Sequence, residues 1–331
     1  MTKPRFDVLC IGNAIVDVIA DTTDSFLSNQ GLHKGSMRLI DEEEAVRLYE
    51  AMGPGREISG GSAGNTAAGL AALGLDAAFI GQVADDQLGQ IYRHDIEAQG
   101  IAFLVEPRGD VGATARSLIL VTPDAQRTMN TFLGAAQMLE TGSVDLAAVA
   151  DSGIVYLEGY LWDPAAPRAA MEAAIEAAHA AGRKVAFTLS DTFCVDRHRD
   201  SFWQLLRDGK VDILFANEAE AASMGQVNDV EEAIPALAAY VQTLVVTRSE
   251  AGATAVSGGN RADVQAQAID RLVDTTGAGD LFAAGFLAGE ARGLGLEASL
   301  RLGAIAAAEV IQHYGARPEQ DLKALAEGVL A

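Results

Sequence analysis

The stretch VDTTGAGDLF (273–282) joins a glycine-containing turn to an aspartate and then to a long apolar run. Gly277, Ala278 and Gly279 permit a turn whose successive N–H groups point the same way, and a helix that starts here adds its dipole. This pattern predicts a binding site for phosphoryl oxygens that needs no Lys or Arg. Asp280 follows the turn, and two interpretations stay open: an N-cap of the helix, or a general base that accepts the proton of an attacking hydroxyl.

GNAIVD (12–17) follows an apolar run that is typical of a buried parallel strand. Ligands of parallel sheets bind outside the carboxyl ends of the strands, which would bring Asn13 and Asp17 to a small polar molecule. A carboxylate accepts two hydroxyl hydrogen bonds, so Asp17 suits a vicinal diol. The alternative is that Asn13 only turns the chain and that Asp17 is solvated.

A second wall of the same site is predicted in SGGSAGNTAAGLAALG (59–74). Gly60 and Gly61 allow a close approach of the backbone, and Asn65 lies near the start of a helix rich in Ala, Gly and Leu. The stretch is neither a Walker A loop nor a clean G-x-G-x-x-G fingerprint. A simple turn with a helix cap therefore remains the alternative for this segment.

NEAE (217–220) follows the apolar run VDILFA (211–216). Asn217 and Glu220 are three residues apart, so they share one face of a helix that starts at the carboxyl end of a strand. An amide and a carboxylate there are suited to hold the water shell of Mg²⁺. An Asn N-cap with a Glu in the first helical turn is an equally good interpretation.

The elements that must position these residues are short apolar runs separated by Ala-rich helical stretches such as 165–181. Strands that alternate with helices predict an α/β fold with a doubly wound parallel sheet flanked by helices on both faces. The predicted strands are FDVLCIG (6–12), AAFIGQV (77–83), GIVYLEG (153–159), KVAFTLS (184–190), VDILFAN (211–217) and TLVVTR (243–248).

Two regions interrupt this alternation. Residues 35–40 and 56–61 have the character of short strands without crossover helices, and residues 115–132 predict a hairpin that turns at Pro123-Asp124. We expect these segments to form a small antiparallel sheet beside the main one. A flap over a cleft is the natural use of such an insertion.

The composition argues against several functions. The 331 residues carry a net charge of -22, which repels nucleic acid and anionic membranes, so we expect neither as a partner. The N-terminus lacks the apolar core of a signal peptide, and no stretch approaches 18 uninterrupted apolar residues. These observations predict a cytoplasmic protein. GNAIVD also lacks the glycines of a dinucleotide fingerprint, which argues against a dehydrogenase.

GNAIVD, GGSAGN, NEAE and DTTGAGD stand in one order along the chain, and together they resemble the motifs of the ribokinase-like (pfkB) family of sugar and nucleoside kinases. The resemblance extends over nearly the whole chain. It implies a single kinase domain over residues 1–331, with a small β-sheet lid formed by segments near 13–20, 35–40, 56–61 and 113–132. It also implies transfer of the ATP γ-phosphoryl group to a primary CH₂OH group, with Mg²⁺ as the cofactor.

The resemblance assigns roles to the residues that match the family motifs. Asp280 resembles the catalytic base and the turn before it the anion hole, and the N-x-x-E motif, Asn217 and Glu220, organises Mg²⁺. The residues that match ligands of the sugar hydroxyls are Asn13, Asp17, Gly60, Gly61 and Asn65. Three residues of VVTRSEAGA fall where the family binds the nucleotide: Thr247, Ser249 and Gly252.

Two further assignments rest on the resemblance alone. Asp274 and Thr276 match a loop that binds a potassium ion (K⁺) in many family members, closed by a segment like HYGARP (313–318). Arg127, on the returning strand of the predicted hairpin, resembles a lid arginine that approaches the transferred phosphate. The alternative for Arg127 is an exposed charge on the lid.

The acceptor is predicted from the N-terminal half. CIGNAIVDVIA followed by LHKGSMRLI resembles adenosine kinases more than ribokinases or fructokinases, and in that subgroup the residue at the position of Ile15 helps to enclose the purine. Tyr160 and Trp162, in EGYLWDP, are expected near the cleft. There they either stack on a base or pack beneath the lid.

The alternative acceptor is a sugar of the same enzyme family, such as ribose, fructose or a keto-deoxy sugar acid. GGSAGN is compatible with small sugars too. An anionic sugar acid would need a basic residue in the pocket, and the lid-side candidates are Lys34, Arg38 and Arg116. The resemblance allows a monomer or a homodimer that pairs through the lid.

Overall fold

The computed structural model describes residues 3–124 and 126–330. Within these ranges the strands are β1 (Phe6–Ile11), β2 (Ile15–Asp21), β3 (Met37–Leu39), β4 (Arg56–Gly60), β5 (Ala77–Ile80), β6 (Ala102–Phe103), β7 (Ala115–Val121), β8 (Arg127–Phe132), β9 (Ser152–Glu158), β10 (Lys184–Thr188), β11 (Ile213–Asn217), β12 (Thr243–Thr247), β13 (Ala253–Ser257) and β14 (Asn260–Val264). The α-helices are α1 (Asp24–Asn29), α2 (Glu42–Ala51), α3 (Ser62–Ala72), α4 (Gln87–Ala98), α5 (Leu146–Ala150), α6 (Ala165–Ala180), α7 (Thr192–Arg207), α8 (Glu218–Gly225), α9 (Val230–Ala238), α10 (Ala278–Ala291), α11 (Leu296–Val310), α12 (Leu322–Leu325) and α13 (Glu327–Leu330).

The larger sheet brings the predicted site residues to one edge. Its order is β14-β13-β12-β11-β10-β9-β1-β5-β6, parallel from β12 to β6. Each run predicted as a buried strand lies in this sheet, which confirms the doubly wound α/β fold. The antiparallel hairpin β13–β14 beside β12 was not predicted from the sequence. Because β1 and β9 to β12 run parallel, their carboxyl ends open at the same edge.

Helices cover both faces of this sheet because its strands are apolar on both sides. Along β1, Val8 and Cys10 belong to the core formed with α3, α10 and α11, whereas Leu9 and Ile11 belong to the core formed with α6 and α7. Such two-sided burial is typical of parallel sheets. In the described part of the chain, no helix is both long and apolar enough to cross a bilayer.

The smaller sheet, termed the lid sheet, has the order β3-β8-β7-β2-β4. The prediction of an antiparallel sheet is wrong: β2 pairs in parallel with β7, and β3 with β8. The chain runs through β5 and α4 between β2 and β7, and so long a crossover permits parallel pairing. Helix α2 packs on one face of the lid sheet, and the other face borders the cleft. Residue 125, in the predicted hairpin turn, lies outside the described residues.

Candidate active site

A cleft with two connected lobes lies at the carboxyl edge of the main sheet. The inner lobe, about 470 Å³, lies under the lid sheet and contains the site residues Ile15, Asp17, Gly61, Asn65, Tyr160, Asn217, Glu220, Thr247, Thr276, Gly277, Ala278, Gly279 and Asp280. The outer lobe, also about 470 Å³, is lined by Thr247, Ser249 and Gly252 together with apolar side chains of α10 and α11. The lobes share Thr247, Thr275, Ala278 and Gly279, so they meet at the start of α10.

The start of α10 differs from the N-cap prediction for Asp280. Gly277 is the N-cap, in the left-handed region at φ +81°, and no side chain caps the helix. A Cβ at Gly277 would lie 2.5 Å from the Cβ of Ala316, so this close approach also requires glycine. Asp280 is the third helical residue, and the first N–H groups of α10 have no partner inside the helix. The N–H of Ala278 donates to Thr275 O at 3.2 Å, and the next N–H groups, of Gly279 and Asp280, are available to an anion, as the glycine turn predicts.

The Asp280 carboxylate is held by side chains of α3. Ser62 Oγ donates to Oδ1 at 2.7 Å and Asn65 Nδ2 donates to Oδ2 at 2.8 Å. Burial raises the pKa of Asp280, while these two hydrogen bonds and the charge of Arg317 lower it. Each carboxylate oxygen keeps a second lone pair for an incoming hydroxyl. Asn65 Oδ1 is buried and has no hydrogen-bond partner among the described residues, so it is a free acceptor beside Asp280.

Asp17, on the cleft face of β2, lies across the inner lobe from these groups. Burial raises its pKa to about 7, against the lowering effect of Arg317 and Arg127. Gly60 does not line the lobe but lies behind Asp17: a Cβ there would come within 2.4 Å of Asp17 Oδ2. Glycine at this position therefore leaves the space that the carboxylate occupies.

Asn13 is buried behind the lobe and is not part of its lining, contrary to the sequence prediction. Its backbone N–H and Nδ2 donate to Glu158 Oε1 at 2.7 and 2.6 Å, and the N–H of Ala63 donates to Glu158 Oε2 at 2.8 Å. Burial raises the pKa of Glu158 to about 7. Glu158 was not predicted as a site residue, although a lone acidic residue at the end of the apolar run IVYLE was a usable signal.

Asn217 and Glu220 form a capping box at the start of α8, so the structural alternative for this pair is confirmed. Both residues also line the inner lobe. Each oxygen of Glu220 accepts one hydrogen bond from Asn217, which leaves lone pairs toward the lobe. Burial raises the pKa of Glu220 to about 7. Hard oxygen atoms with free lone pairs fit a magnesium ion bound through water.

The comparison with known proteins identifies the family. Residues 5–322 match the sequence model of the pfkB family carbohydrate kinases. This chain is a pfkB family kinase. The crystal structure of a probable sugar kinase from Rhizobium etli is 51% identical, with a TM-score of 0.92 over 98% of this chain and 99% of the other. An adenosine kinase from Sinorhizobium meliloti is 50% identical, with a TM-score of 0.91 and the same coverage. Adenosine kinase from Saccharomyces cerevisiae is 27% identical over 95% of this chain and 96% of its own.

The kinase therefore belongs to the enzymes that phosphorylate an alcohol group with ATP. Its outer lobe contains the residues expected at the nucleotide. Ser249 has a positive φ of 48°, and Gly252 has a φ of 92° with a Cβ position only 1.9 Å from Val264 O. The remaining wall is largely apolar, with Leu272 and Ile311 among its residues, and suits a flat base.

Arg127 of the kinase is buried, so the alternative of an exposed lid charge is wrong. Its Nη2 lies 2.9 Å from Asp274 Oδ2 in an ion pair without an aligned hydrogen bond, and its Nη1 donates to Thr276 Oγ1 at 3.3 Å. Asp274 also accepts from the N–H and Oγ1 of Thr276 and from the N–H of Gly315. Donors and a cation thus occupy the lone pairs of Asp274, which leaves this carboxylate without a free oxygen lone pair for a potassium ion.

The two aromatic residues predicted near the cleft have different environments. Tyr160 lines the inner lobe, and its hydroxyl donates to Ser190 O at 3.1 Å. Trp162 is in the core of the kinase: its Nε1 donates to Ser201 Oγ at 2.9 Å, and its ring packs edge-on against Phe187. The placement of Trp162 near the cleft is wrong because a short 3₁₀ turn directs it away from the sheet edge.

Proposed function

We propose that this kinase transfers the γ-phosphoryl group of ATP to the primary CH₂OH group of a nucleoside, with adenosine as the acceptor and AMP as the product. The observation that carries the proposal is the inner lobe, where a carboxylate at a helix start faces hydroxyl-binding groups beneath an apolar lid. Two relatives that span nearly the whole chain, from S. meliloti and S. cerevisiae, are adenosine kinases.

The residues of the inner lobe have three roles in this reaction: they bind the acceptor, remove its proton and stabilise the charge of the transferred group. Asp17 and the free Oδ1 of Asn65 accept hydrogen bonds from the sugar hydroxyls. Asp280 accepts the proton of the primary hydroxyl as its oxygen attacks the γ-phosphorus and ADP leaves. The N–H groups at the start of α10 stabilise the charge on the transferred group.

Two further groups contribute positive charge. Arg127 contacts Thr276 at the edge of the anion turn, a position from which its guanidinium can pair with the transferred phosphate. A magnesium ion held through water by Asn217 and Glu220 would neutralise the charge of the ATP phosphates. The kinase needs these local charges because its net charge of -22 repels anionic nucleotides.

The apolar lid face favours a nucleoside over a free sugar. Ile15, Ile119 and Met129 face the inner lobe from three lid strands, and Phe215 lies on the opposite wall. A purine buries apolar area against these side chains, whereas a free sugar would use only the polar residues of the same face, Asp17, Ser117 and Thr131.

A sugar acid is disfavoured because the basic residues near the lid are engaged elsewhere. Lys34 pairs with Asp24 and Asp124 at 2.8 and 2.7 Å. Arg38 bonds to Asn130 and Glu44. Neither of them, nor Arg116, lines the inner lobe. A carboxylate on the acceptor would therefore be buried without a cationic partner.

The acceptor is tested by a coupled ADP-release assay over adenosine, other nucleosides, ribose, fructose and a keto-deoxy sugar acid. We expect the highest kcat/KM with adenosine. Turnover of fructose or ribose with none of adenosine would show that the acceptor is a sugar and not a nucleoside. The assignment as a kinase would stand.

The role of Asp280 is tested by Asp280→Asn, which keeps the shape of the side chain but removes the base. We expect kcat to fall by about 10²–10⁴-fold, the usual contribution of general base catalysis. Nucleotide affinity, measured by calorimetry, should stay at the wild-type value. The matched control is Asp229→Asn at the exposed N-cap of α9, where Asn caps equally well. Wild-type kcat in Asp280→Asn would contradict the mechanism.

A further inference from the structure

Arg317 is a partly buried arginine that the functional assignment does not use. It lies in the irregular segment between α11 and α12. Its Nε and Nη2 donate to the backbone O and Oγ of Ser59 at 3.0 and 3.1 Å, and its Nη1 donates to Gly64 O at 2.5 Å. The guanidinium thus binds both ends of the segment 59–64, which joins the lid strand β4 to α3.

This segment, termed the hinge segment, contacts both ends of the acceptor site. Ser59 is almost fully buried, and its N–H donates to Asp95 of α4 at 3.1 Å. Gly60 lies against Asp17, so a shift of the segment would displace that carboxylate. Ser62 donates to Asp280. The position of the hinge segment therefore sets the geometry between the hydroxyl-binding carboxylate and the base.

We propose that Arg317 is a positioning residue for phosphoryl transfer: by three hydrogen bonds it holds the hinge segment, which contacts both Asp17 and Asp280. The proposal rests on the function assigned above to these two carboxylates. Arg317 lines neither lobe, so it acts through the groups it holds.

The charge of Arg317 acts on the same carboxylates. Burial has the largest effect on the pKa of Asp17 and raises it. The charge of Arg317 has the second largest effect and lowers this pKa. Arg317 also lowers the pKa of Asp280, in addition to the hydrogen bonds from Asn65 and Ser62. The other charged groups around these carboxylates are Arg127, Asp274, Glu158 and Asp95. Loss of the guanidinium should therefore make both carboxylates harder to ionise.

Two substitutions separate the hydrogen bonds from the charge. Arg317→Gln removes the charge and most of the hydrogen bonds. We expect kcat with adenosine to fall by about 10²-fold, the size of effect that small misplacements of reacting groups produce. The acid limb of its pH–kcat profile should move to higher pH, since a base without its cation is protonated more readily. Arg317→Lys keeps the charge, so its acid limb should stay in place while the KM for the acceptor rises.

The matched control is Arg168→Gln. Arg168 is also partly buried and donates to a backbone carbonyl, Trp162 O, at 3.0 and 2.8 Å, but it does not line either lobe. A purely structural role would lower the melting temperature of Arg317→Gln and Arg168→Gln alike and leave both pH profiles unchanged. That result would overturn the proposal, as would a wild-type kcat in Arg317→Gln.

The same assays distinguish this inference from the proposed function. If Asp280→Asn remains active, the assignment of the base fails, whatever Arg317 does. If Asp280→Asn is inactive but the pH profile of Arg317→Gln matches wild type, only the positioning role fails. If Arg317→Gln does not fold, the acceptor KM of Arg317→Lys provides the test. A KM equal to that of the wild type would contradict the proposal.

Discussion

At the scale of the residue, the cleft is a cluster of carboxylates with raised pKa. Burial raises the pKa of Asp17, Glu158 and Glu220 to about 7 each and raises that of Asp280 as well. Asp17, Glu220 and Asp280 line the cleft and Glu158 lies behind it, and such a cluster of perturbed groups is typical of catalytic sites. Asp17 therefore changes its charge near neutral pH, and we expect the affinity for the acceptor to follow this change.

The acceptor KM should depend on pH through Asp17. Because its pKa is about 7, Asp17 is ionised above pH 7 and accepts hydroxyl hydrogen bonds there. As the pH falls through 7, the carboxyl is protonated and one acceptor becomes a donor, so we expect the KM for adenosine to rise. Steady-state kinetics across this range test the effect. In Asp17→Asn the KM for adenosine should be high and should no longer change with pH in this range. A pH dependence of KM as steep as in the wild type would contradict the role of Asp17.

At the scale of the element, the turn from the lid sheet into α3 depends on Gly61. Gly61 has a φ of 83° and a ψ of 142°, and a Cβ there would lie 2.1 Å from Asn13 O. We expect Gly61→Ala to lower the free energy of unfolding by about 3 kcal/mol or more, since strain and a backbone clash add. Denaturant unfolding measures this change, and the acceptor KM should rise with it.

Gly31→Ala is the control for this turn. Gly31 also has a positive φ, 67°, but no atom lies within 4 Å of its Cβ position. Gly31→Ala should therefore lower the free energy of unfolding by only about 1 kcal/mol, because conformational strain is its sole cost. If both variants lowered the free energy of unfolding by the same amount, the close approach of Gly61 to Asn13 O would not contribute to stability.

The loop before α10 predicts how the kinase responds to monovalent cations. Arg127 supplies a positive charge to Asp274, and three N–H or O–H groups fill its remaining acceptor positions. We expect kcat to be the same in potassium chloride, sodium chloride and choline chloride at equal ionic strength. Activation by potassium alone would mean that Asp274 exchanges Arg127 for the ion during turnover.

At the scale of the whole molecule, the raised pKa values predict how stability depends on pH. The pKa of Asp17 rises from 3.8 to about 7 and that of Glu158 from 4.5 to about 7, so the folded state holds more protons than the unfolded state between these limits. This contribution to stability is present at low pH and is lost as the pH rises through 7. The net charge of -22 acts in the same direction, because self-repulsion grows as carboxyls ionise.

We therefore expect the melting temperature to rise when the pH is lowered from about 8 to about 6. Calorimetry measures the effect. Salt should raise the melting temperature most at the higher pH, because it screens the repulsion between surface carboxylates. Glu158→Gln should flatten part of the pH dependence, and an unchanged slope in that variant would show that Glu158 does not contribute to it.

The sequence patterns were sufficient to predict the strands of the main sheet and the family of the kinase. Two-sided apolar runs such as FDVLCI can only be buried in a sheet covered on both faces, so β1 and its neighbours were predictable. The prediction failed where a local turn decides the outcome. Gly277 in the left-handed conformation starts α10 before Asp280, so Asp280 is not the cap, and a 3₁₀ turn carries Trp162 into the core.

The sequence by itself determined which residue types were available: a glycine turn ending in Asp280, an N-x-x-E pair and a polar turn after the first strand. The tertiary structure decided which of them meet. Glu158 bonds to Asn13 across 145 residues, and Arg317 bonds to Ser59 across 258. The physical reason is that such contacts depend on strand order and chain crossovers. A single polar residue in an apolar run carries no local sign of its distant partner.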